Sequence, residues 1–164
     1  MSNRQQLNII GAGGHAKVVI RTAQRLGFGV CGVYDDDSRL WSEQLMSIPI
    51  IGAVSEIPAN SLAVMAIGNN AVRRKLASVA RLSWVSLIDP LAHVDEHVAL
   101  GEGTVVLPGA IIQVGSQDGS HVIVNTGATV DHDCRLGDYT HIGPGCHLCG
   151  EVEVDEGALL GVGA

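Results

Sequence analysis

The stretch Val124-Asn125-Thr126-Gly127-Ala128-Thr129-Val130-Asp131-His132-Asp133-Cys134-Arg135-Leu136 decides the fold of half the chain, because an aliphatic residue returns every six positions, at 124, 130 and 136. Extended outward, the same frame gives Ile88, Val94, Leu100, Val106 and Ile112 upstream and Ile142, Leu148, Val154 and Leu160 downstream. Only Asp118 breaks it. Four residues after each aliphatic comes a small or β-branched one, from Ala92, Val98 and Thr104 through Ala128, Cys134 and Cys146 to Ala164. A sustained period of six fits short strands joined by tight corners, three strands making one coil of a triangular prism, with each coil burying its apolar face against its neighbours. The aliphatics stack inside and the small residues fit where the interior narrows. Residues directly after the aliphatics, among them Gly101, Gly119, Asn125, Gly137, Gly143 and Gly161, read as turn-tolerant. The segment Gln117 to His121 keeps the phase but places Asp118 inward, which predicts an outward loop or a distorted face. The repeat predicts a β-helix of roughly four coils over 88–164.

Composition agrees. Hydrophobic residues make up 46% of the 164 but aromatics only 3%, and there are 21 glycines, a mixture suited to narrow repetitive packing. The net charge of −7 argues against a nucleic-acid partner. Arg73, Arg74 and Lys75, the one basic cluster, read as a solvated helix face. The first ten residues lack the apolar run of a signal peptide, and no apolar stretch approaches the ~18 residues of a membrane span. A cytoplasmic protein without membrane insertion is expected, its four cysteines free thiols. Cys146 and Cys149 form a C-x-x-C, but 146 is a small-residue slot and a structural zinc site wants a second ligand pair, so no metal is expected.

The first half reads differently. Leu7 to Ile10 is a short apolar run feeding Gly11-Ala12-Gly13-Gly14-His15-Ala16, after which Lys17 to Ala23 is helical. Strand, glycine turn and helix in this order bring backbone N–H groups and a helix dipole to bear on a phosphate. The spacing is G-x-G-x-x-A, a permitted dinucleotide fingerprint. A second strand, Val30 to Tyr34, ends in Asp35-Asp36-Asp37, where a carboxylate can accept from a ribose or base. Leu62 to Ile67 is a further strand, stopped by Gly68-Asn69-Asn70, with Ala71 to Leu82 helical and Trp84 to Ile88 closing. The βαβ alternation predicts a parallel sheet with Gly68, Asn69 and Asn70 on its ligand-binding edge, although an asparagine there equally serves as a plain helix cap. His15, at a helix start inside the glycine turn, is expected to contact ligand, and Trp41 and Met46 to pack. The expected fold class is α/β plus all-β: a small Rossmann-like domain over 1–87, then the repeat domain over 88–164.

The chemistry concentrates between Asn125 and His141. His132 stands two places after an inner aliphatic, so its imidazole is expected to leave the prism. A neutral imidazole whose far nitrogen is oriented by a carboxylate, Asp131 or Asp133, is a general base.

Over its whole length the chain resembles the NeuD/PglD-type sugar O- and N-acetyltransferases. The matching pieces are Gly11 to Lys17, Tyr34-Asp35-Asp36, Ala66-Ile67-Gly68-Asn69-Asn70 and Val130-Asp131-His132-Asp133-Cys134. The resemblance implies a left-handed β-helix, acetyl-CoA as co-substrate, and N-acetylation of a nucleotide-linked amino sugar, with a UDP-4-amino-4,6-dideoxysugar as the first expectation, for surface glycan biosynthesis. It implies His132 as base and Asp133 as its partner, with Asn125 and His141 helping to hold acetyl-CoA or the acceptor and Gly150 lying along the pantetheine arm. Gly11, Gly13, Gly14, His15, Asp35, Asp36, Gly68 and Asn69 would hold the nucleotide-sugar. It also implies a homotrimer with sites between subunits. Family members continue through further coils, so the resemblance implies an array cut short at Ala164 with an incomplete CoA groove. The alternatives are a sialic-acid-type O-acetyltransferase, a non-catalytic scaffold, an NAD-type oxidoreductase and a γ-type carbonic anhydrase.

Overall fold

A computed structural model describes residues 4–164. The first part is a six-stranded sheet. Its elements are β1 (Gln6–Ile10), α1 (Gly14–Arg25), β2 (Gly29–Tyr34), β3 (Gln44–Leu45), β4 (Ile48–Gly52), β5 (Leu62–Met65), α2 (Asn70–Val79) and β6 (Ser83–Trp84). The order across the sheet is β3-β4-β2-β1-β5-β6. All neighbours are parallel except β3 and β4, an antiparallel pair that interrupts the expected βαβ alternation. The chain leaves β1 toward β2 on one side and returns through β5 on the other, so the order reverses between β1 and β5. That switch point is where open α/β sheets form a ligand crevice. The expected single strand from Trp84 to Ile88 is divided: Ser83–Trp84 completes this sheet, and Leu87–Ile88 begins the next architecture.

From Leu87 onward, two-residue strands recur every six residues and pair in parallel with the strand eighteen residues away, as in Leu87↔Val105, Val105↔Ile123 and Ile123↔His141. Three ladders result, one per face of a left-handed β-helical prism. The second residue of each strand points inward: Val106, Ile112, Val124, Val130 and Ile142 are fully buried. The small positions fill the remaining interior, with Thr104, Ala110, Ser116, Ala128, Cys134, Thr140 and Cys146 at 0% exposure.

Further expectations need correction. Gln117–Asp118 is a regular strand, paired with Ala99–Leu100 and Arg135–Leu136, so Asp118 lies inside the prism and not on a loop. Ladder hydrogen bonds on both sides hold the backbone, and one misfit side chain does not break them. The left-handed backbone positions come three places after the inner aliphatic, not directly after it; they include Gly109 and Gly127 but also His121, Asp133, Tyr139 and Glu151. The glycines directly after the aliphatic serve close approach between coils: a Cβ at Gly143 would stand 2.5 Å from the Leu160 carbonyl oxygen of the next coil. Trp41 is not a core residue; it remains 37% exposed, with its indole N–H donating to the Asp35 carbonyl.

The two architectures share one core. Val19, Ile20 and Ala23 of α1 pack with Leu87, Val105 and Leu107 of the first prism face. Buried Asp89 accepts hydrogen bonds from Thr22 Oγ1 (2.6 Å) and Arg25 Nε (2.9 Å) across the junction. Helix α2 lies along the corner between the third and first faces. Asn70 Nδ2 donates to the carbonyls of Gly157 and Ala158, and Arg73 to those of His121, Tyr139 and Thr140. Arg73 is therefore not on a solvated helix face: it is 1% exposed, its charge met by carbonyl dipoles.

Candidate functional site

The glycine turn follows β1. Gly11 adopts φ +102°, and a Cβ there would collide with Ile67, so this glycine is required by the fold. Its N–H donates to the Tyr34 carbonyl, and the Ala12 N–H donates to Asp35 Oδ2 at 2.8 Å, which staples the turn to the end of β2. Gly13 is the N-cap of α1 with no side-chain cap, and nothing stands within 4 Å of a Cβ built at Gly13 or Gly14. The amino end of α1 thus opens onto free space, with its dipole favouring an anion. Gly13 and Gly14 are not demanded by local crowding.

Across the switch point, Gly68 follows β5, and the prism comes up to meet it. His141 Nδ1 lies 3.2 Å from the Gly68 carbonyl, His141 Nε2 lies 2.9 Å from Asn125 Nδ2, and the His15 ring lies 6.2 Å from the His141 ring. His15 Nε2 is buried without a partner among the described residues. Burial, with the neighbouring His141 and Arg73, pushes the His15 pKa down to about 4. Burial likewise lowers His141, and Arg73 adds to the effect against the opposing pull of the Gly68 carbonyl. Both rings are neutral at pH 7. The fold therefore brings Gly11, Gly13, Gly14, His15, Asp35, Gly68, Asn125 and His141 around one crevice.

Two expected members stand differently. Asn69 caps α2, its Oδ1 accepting from the Val72 N–H at 3.0 Å, the plain role open to it from the sequence. Asp36 turns away from the glycine turn and accepts from the Val54 N–H at 3.0 Å.

A second cluster surrounds His132. Its Nδ1 lies 2.9 Å from Asp133 Oδ2, and its backbone N–H donates to Asp131 Oδ1. The ring is half exposed, outside the prism as expected. The bond to Asp133 raises the imidazole above its ordinary pKa, against slight desolvation and with Asp131 and Glu151 adding to the rise. With Nδ1–H directed at the carboxylate, Nε2 is the free basic nitrogen. Two glycines make room. Gly150, one coil later, lies under the ring, and Gly115, one coil earlier, lies under the Asp133 carboxylate. Gly115 was missed in the sequence, yet the coil length finds it, since 133 − 115 and 150 − 132 are both 18, the ladder offset.

The two clusters do not meet within one chain. The first face docks on the sheet, and the dyad occupies the corner between the second and third faces, opposite it.

Residues 6–80 match the PglD N-terminal domain. A perosamine N-acetyltransferase from Caulobacter crescentus, in complex with CoA and GDP-perosamine, superimposes with a TM-score of 0.88 at 39% identity, covering 96% of this chain and 78% of that one. The chain belongs to the NeuD/PglD-type sugar acetyltransferase family. Among curated members, it is 30% identical over 103 residues to the GDP-perosamine N-acetyltransferase of Escherichia coli O157:H7, spanning 61% of this chain and 47% of the relative. It is 37% identical over 107 residues to the UDP-N-acetylbacillosamine N-acetyltransferase of Bacillus subtilis, spanning 60% and 50%. The chain thus spans about half the length of these curated family members.

Proposed function

We propose that this chain is an acetyl-CoA-dependent N-acetyltransferase acting on a nucleotide-linked amino sugar for glycan biosynthesis. The observation that carries the reading is the His132–Asp133 pair, 2.9 Å apart, with Nε2 free above Gly150. Acetyl-CoA supplies an activated thioester carbonyl. His132 Nε2 accepts the proton that the sugar amine loses as its nitrogen attacks, and Asp133 stabilises the resulting imidazolium. The proton is then available to the departing thiolate. In the crevice, the amino end of α1 would face the diphosphate, and His15, Gly68, Asn125 and His141 would line the path of the sugar.

The division at 87 and 88 is part of this reading: 1–87 holds the nucleotide-sugar and 88–164 carries acyl transfer. Because the dyad sits on the corner opposite the docked face, an acceptor held in the crevice reaches a base only on another copy. A homotrimer, the assembly implied by the family resemblance, supplies that copy. A cytoplasmic location belongs to the same proposal; no helix among the described residues is long and apolar enough to cross a membrane. Similarity to the relative holding GDP-perosamine favours a GDP-linked acceptor over the UDP-linked one first expected. Thiol release from acetyl-CoA, measured with GDP- and UDP-linked 4-amino-4,6-dideoxysugars in turn, tests the reading, and product mass and amide detection separate N- from O-transfer. No thiol release with any amino-sugar nucleotide, from protein shown to be folded and trimeric by sedimentation, would refute it.

A further inference from the structure

We propose that Arg73 is a positioning residue for His141: its guanidinium fixes the Gly68 carbonyl that receives the His141 Nδ1 proton, and so holds that imidazole in one tautomer and orientation at the crevice. The proposal rests on the reading of the crevice as the nucleotide-sugar site.

Arg73 is buried, and its recorded partners are all backbone carbonyls. Nη1 donates to Ile67 and Gly68 at 3.1 Å each, Nε to His121 at 3.2 Å, and Nη2 to Tyr139 at 2.7 Å and Thr140 at 3.1 Å. Apolar side chains dock a helix without the desolvation cost of a charge. This planar fork does what they do not: it ties the loop after β5 to two successive coils along one corner of the prism.

The hydrogen bonds fix the state of His141 by elimination. The Thr126 N–H donates to Asn125 Oδ1 at 2.8 Å, which orients the amide. Asn125 Nδ2 therefore donates to His141 Nε2, and the ring proton lies on Nδ1, facing the Gly68 carbonyl that Arg73 also holds. The charged or titratable groups facing His141 are His15 from α1 and Arg73 from α2. No carboxylate among the described residues counters it; burial is the main cause that holds both imidazoles neutral, and the guanidinium, charged because burial lowers it only to about 10, adds a smaller push in the same direction.

The test is ¹⁵N NMR of the histidine rings in the full chain, wild type beside Arg73→Lys and Arg73→Met. In the wild type His141 is expected as the Nδ1–H tautomer, titrating below the ordinary ~6.5. Arg73→Lys keeps a charge but lacks the fork, so the tautomers should mix while the midpoint stays low. Arg73→Met loses both, so the tautomers should mix and the midpoint should rise above the wild-type one while staying below the ordinary ~6.5, because the ring remains buried. With activity in hand, KM for the nucleotide-sugar should rise up to about tenfold with kcat changed less, the scale of one neutral hydrogen bond. A wild-type Nε2–H tautomer, an ordinary wild-type midpoint, or a folded Arg73→Met protein with His141 unchanged overturns the proposal. A purely structural Arg73 would lower the melting temperature and move neither ring property. Should Arg73→Met fail to fold, the wild type and Arg73→Lys decide. A wild type without transferase activity sinks the functional reading but leaves the NMR comparison intact.

Discussion

Gly150 lies directly beneath the imidazole of His132, one coil further along the prism: a Cβ built on Gly150 would stand 2.5 Å from both Cε1 and Nε2 of the ring. No left-handed conformation is recorded at Gly150, so alanine is excluded only by the ring. Gly150→Ala should leave the prism folded and tilt the imidazole away from its partner. A displacement of about 1 Å at a reacting group costs on the order of 10²-fold, so kcat is expected to fall by about that factor with an unchanged far-ultraviolet spectrum. Wild-type turnover in Gly150→Ala would show that the ring position is irrelevant to the chemistry.

His132→Ala removes the base and should lower kcat by ~10²–10⁴-fold while leaving nucleotide-sugar affinity, measured by calorimetry, in place. His141 is a poor substitute, because Asn125 occupies its Nε2.

Asp133→Asn tests the pH dependence. The base acts when neutral, and Asp133 raises its pKa, so the acid limb of kcat/KM should lie above the ordinary imidazole value. With asparagine the limb should move to lower pH and the plateau rate fall. Asparagine also tolerates the left-handed φ of 59° at this corner, so the turn survives. An acid limb that does not move separates Asp133 from the base.

Gly13→Val is a clean test of the anion site. The residue has φ −77° and open space around it, so valine meets no protein atom within 4 Å of its Cβ. The melting temperature should change little while nucleotide-sugar affinity falls at least tenfold. Unchanged affinity would place the diphosphate elsewhere.

Asp118 is 6% exposed, both carboxylate oxygens lack partners among the described residues, and burial raises its pKa to about 7. Its folded value lies above its unfolded one, so its contribution to stability is most favourable below about pH 4, falls as the pH rises to about 7, and is flat beyond. The loss is on the order of 4 kcal/mol across that window. Asp118→Asn should flatten the slope, and Asp118→Val, which restores the aliphatic ladder with Leu100 and Leu136, should raise the melting temperature most at pH 8. Denaturation curves at pH 5 and 8 that differ equally in wild type and Asp118→Asn would assign the slope to another group.

The prism was legible because its rule is local and periodic. Ile142 must face inward wherever a six-residue repeat closes into coils, and Cys134 and Cys146 fill narrow slots by size alone. The same regularity made Asp118 misleading, since a polar residue at an inner position suggests a broken strand, while the backbone ladder persists whatever the side chain. His132 could be placed outside the prism from phase, and Asp133 beside it from adjacency. Asn69 carried two readings because a helix cap and a ligand contact want the same residue type at the same strand end.

By itself, then, the sequence determined the two architectures, the outward dyad, and the glycine turn before α1, because each depends on neighbours within a few residues or on a fixed period. Tertiary structure decided the rest. Arg73 looked like part of a solvated run beside Arg74 and Lys75, and only the docking of α2 onto the carbonyls of His121, Tyr139 and Thr140 turned it inward. The meeting of His141 with Gly68, 73 residues apart, follows from the same docking. So does the separation of crevice from dyad, because which prism face meets the sheet is set by Leu87, Val105 and Leu107 packing on α1, long-range contacts that no local pattern encodes.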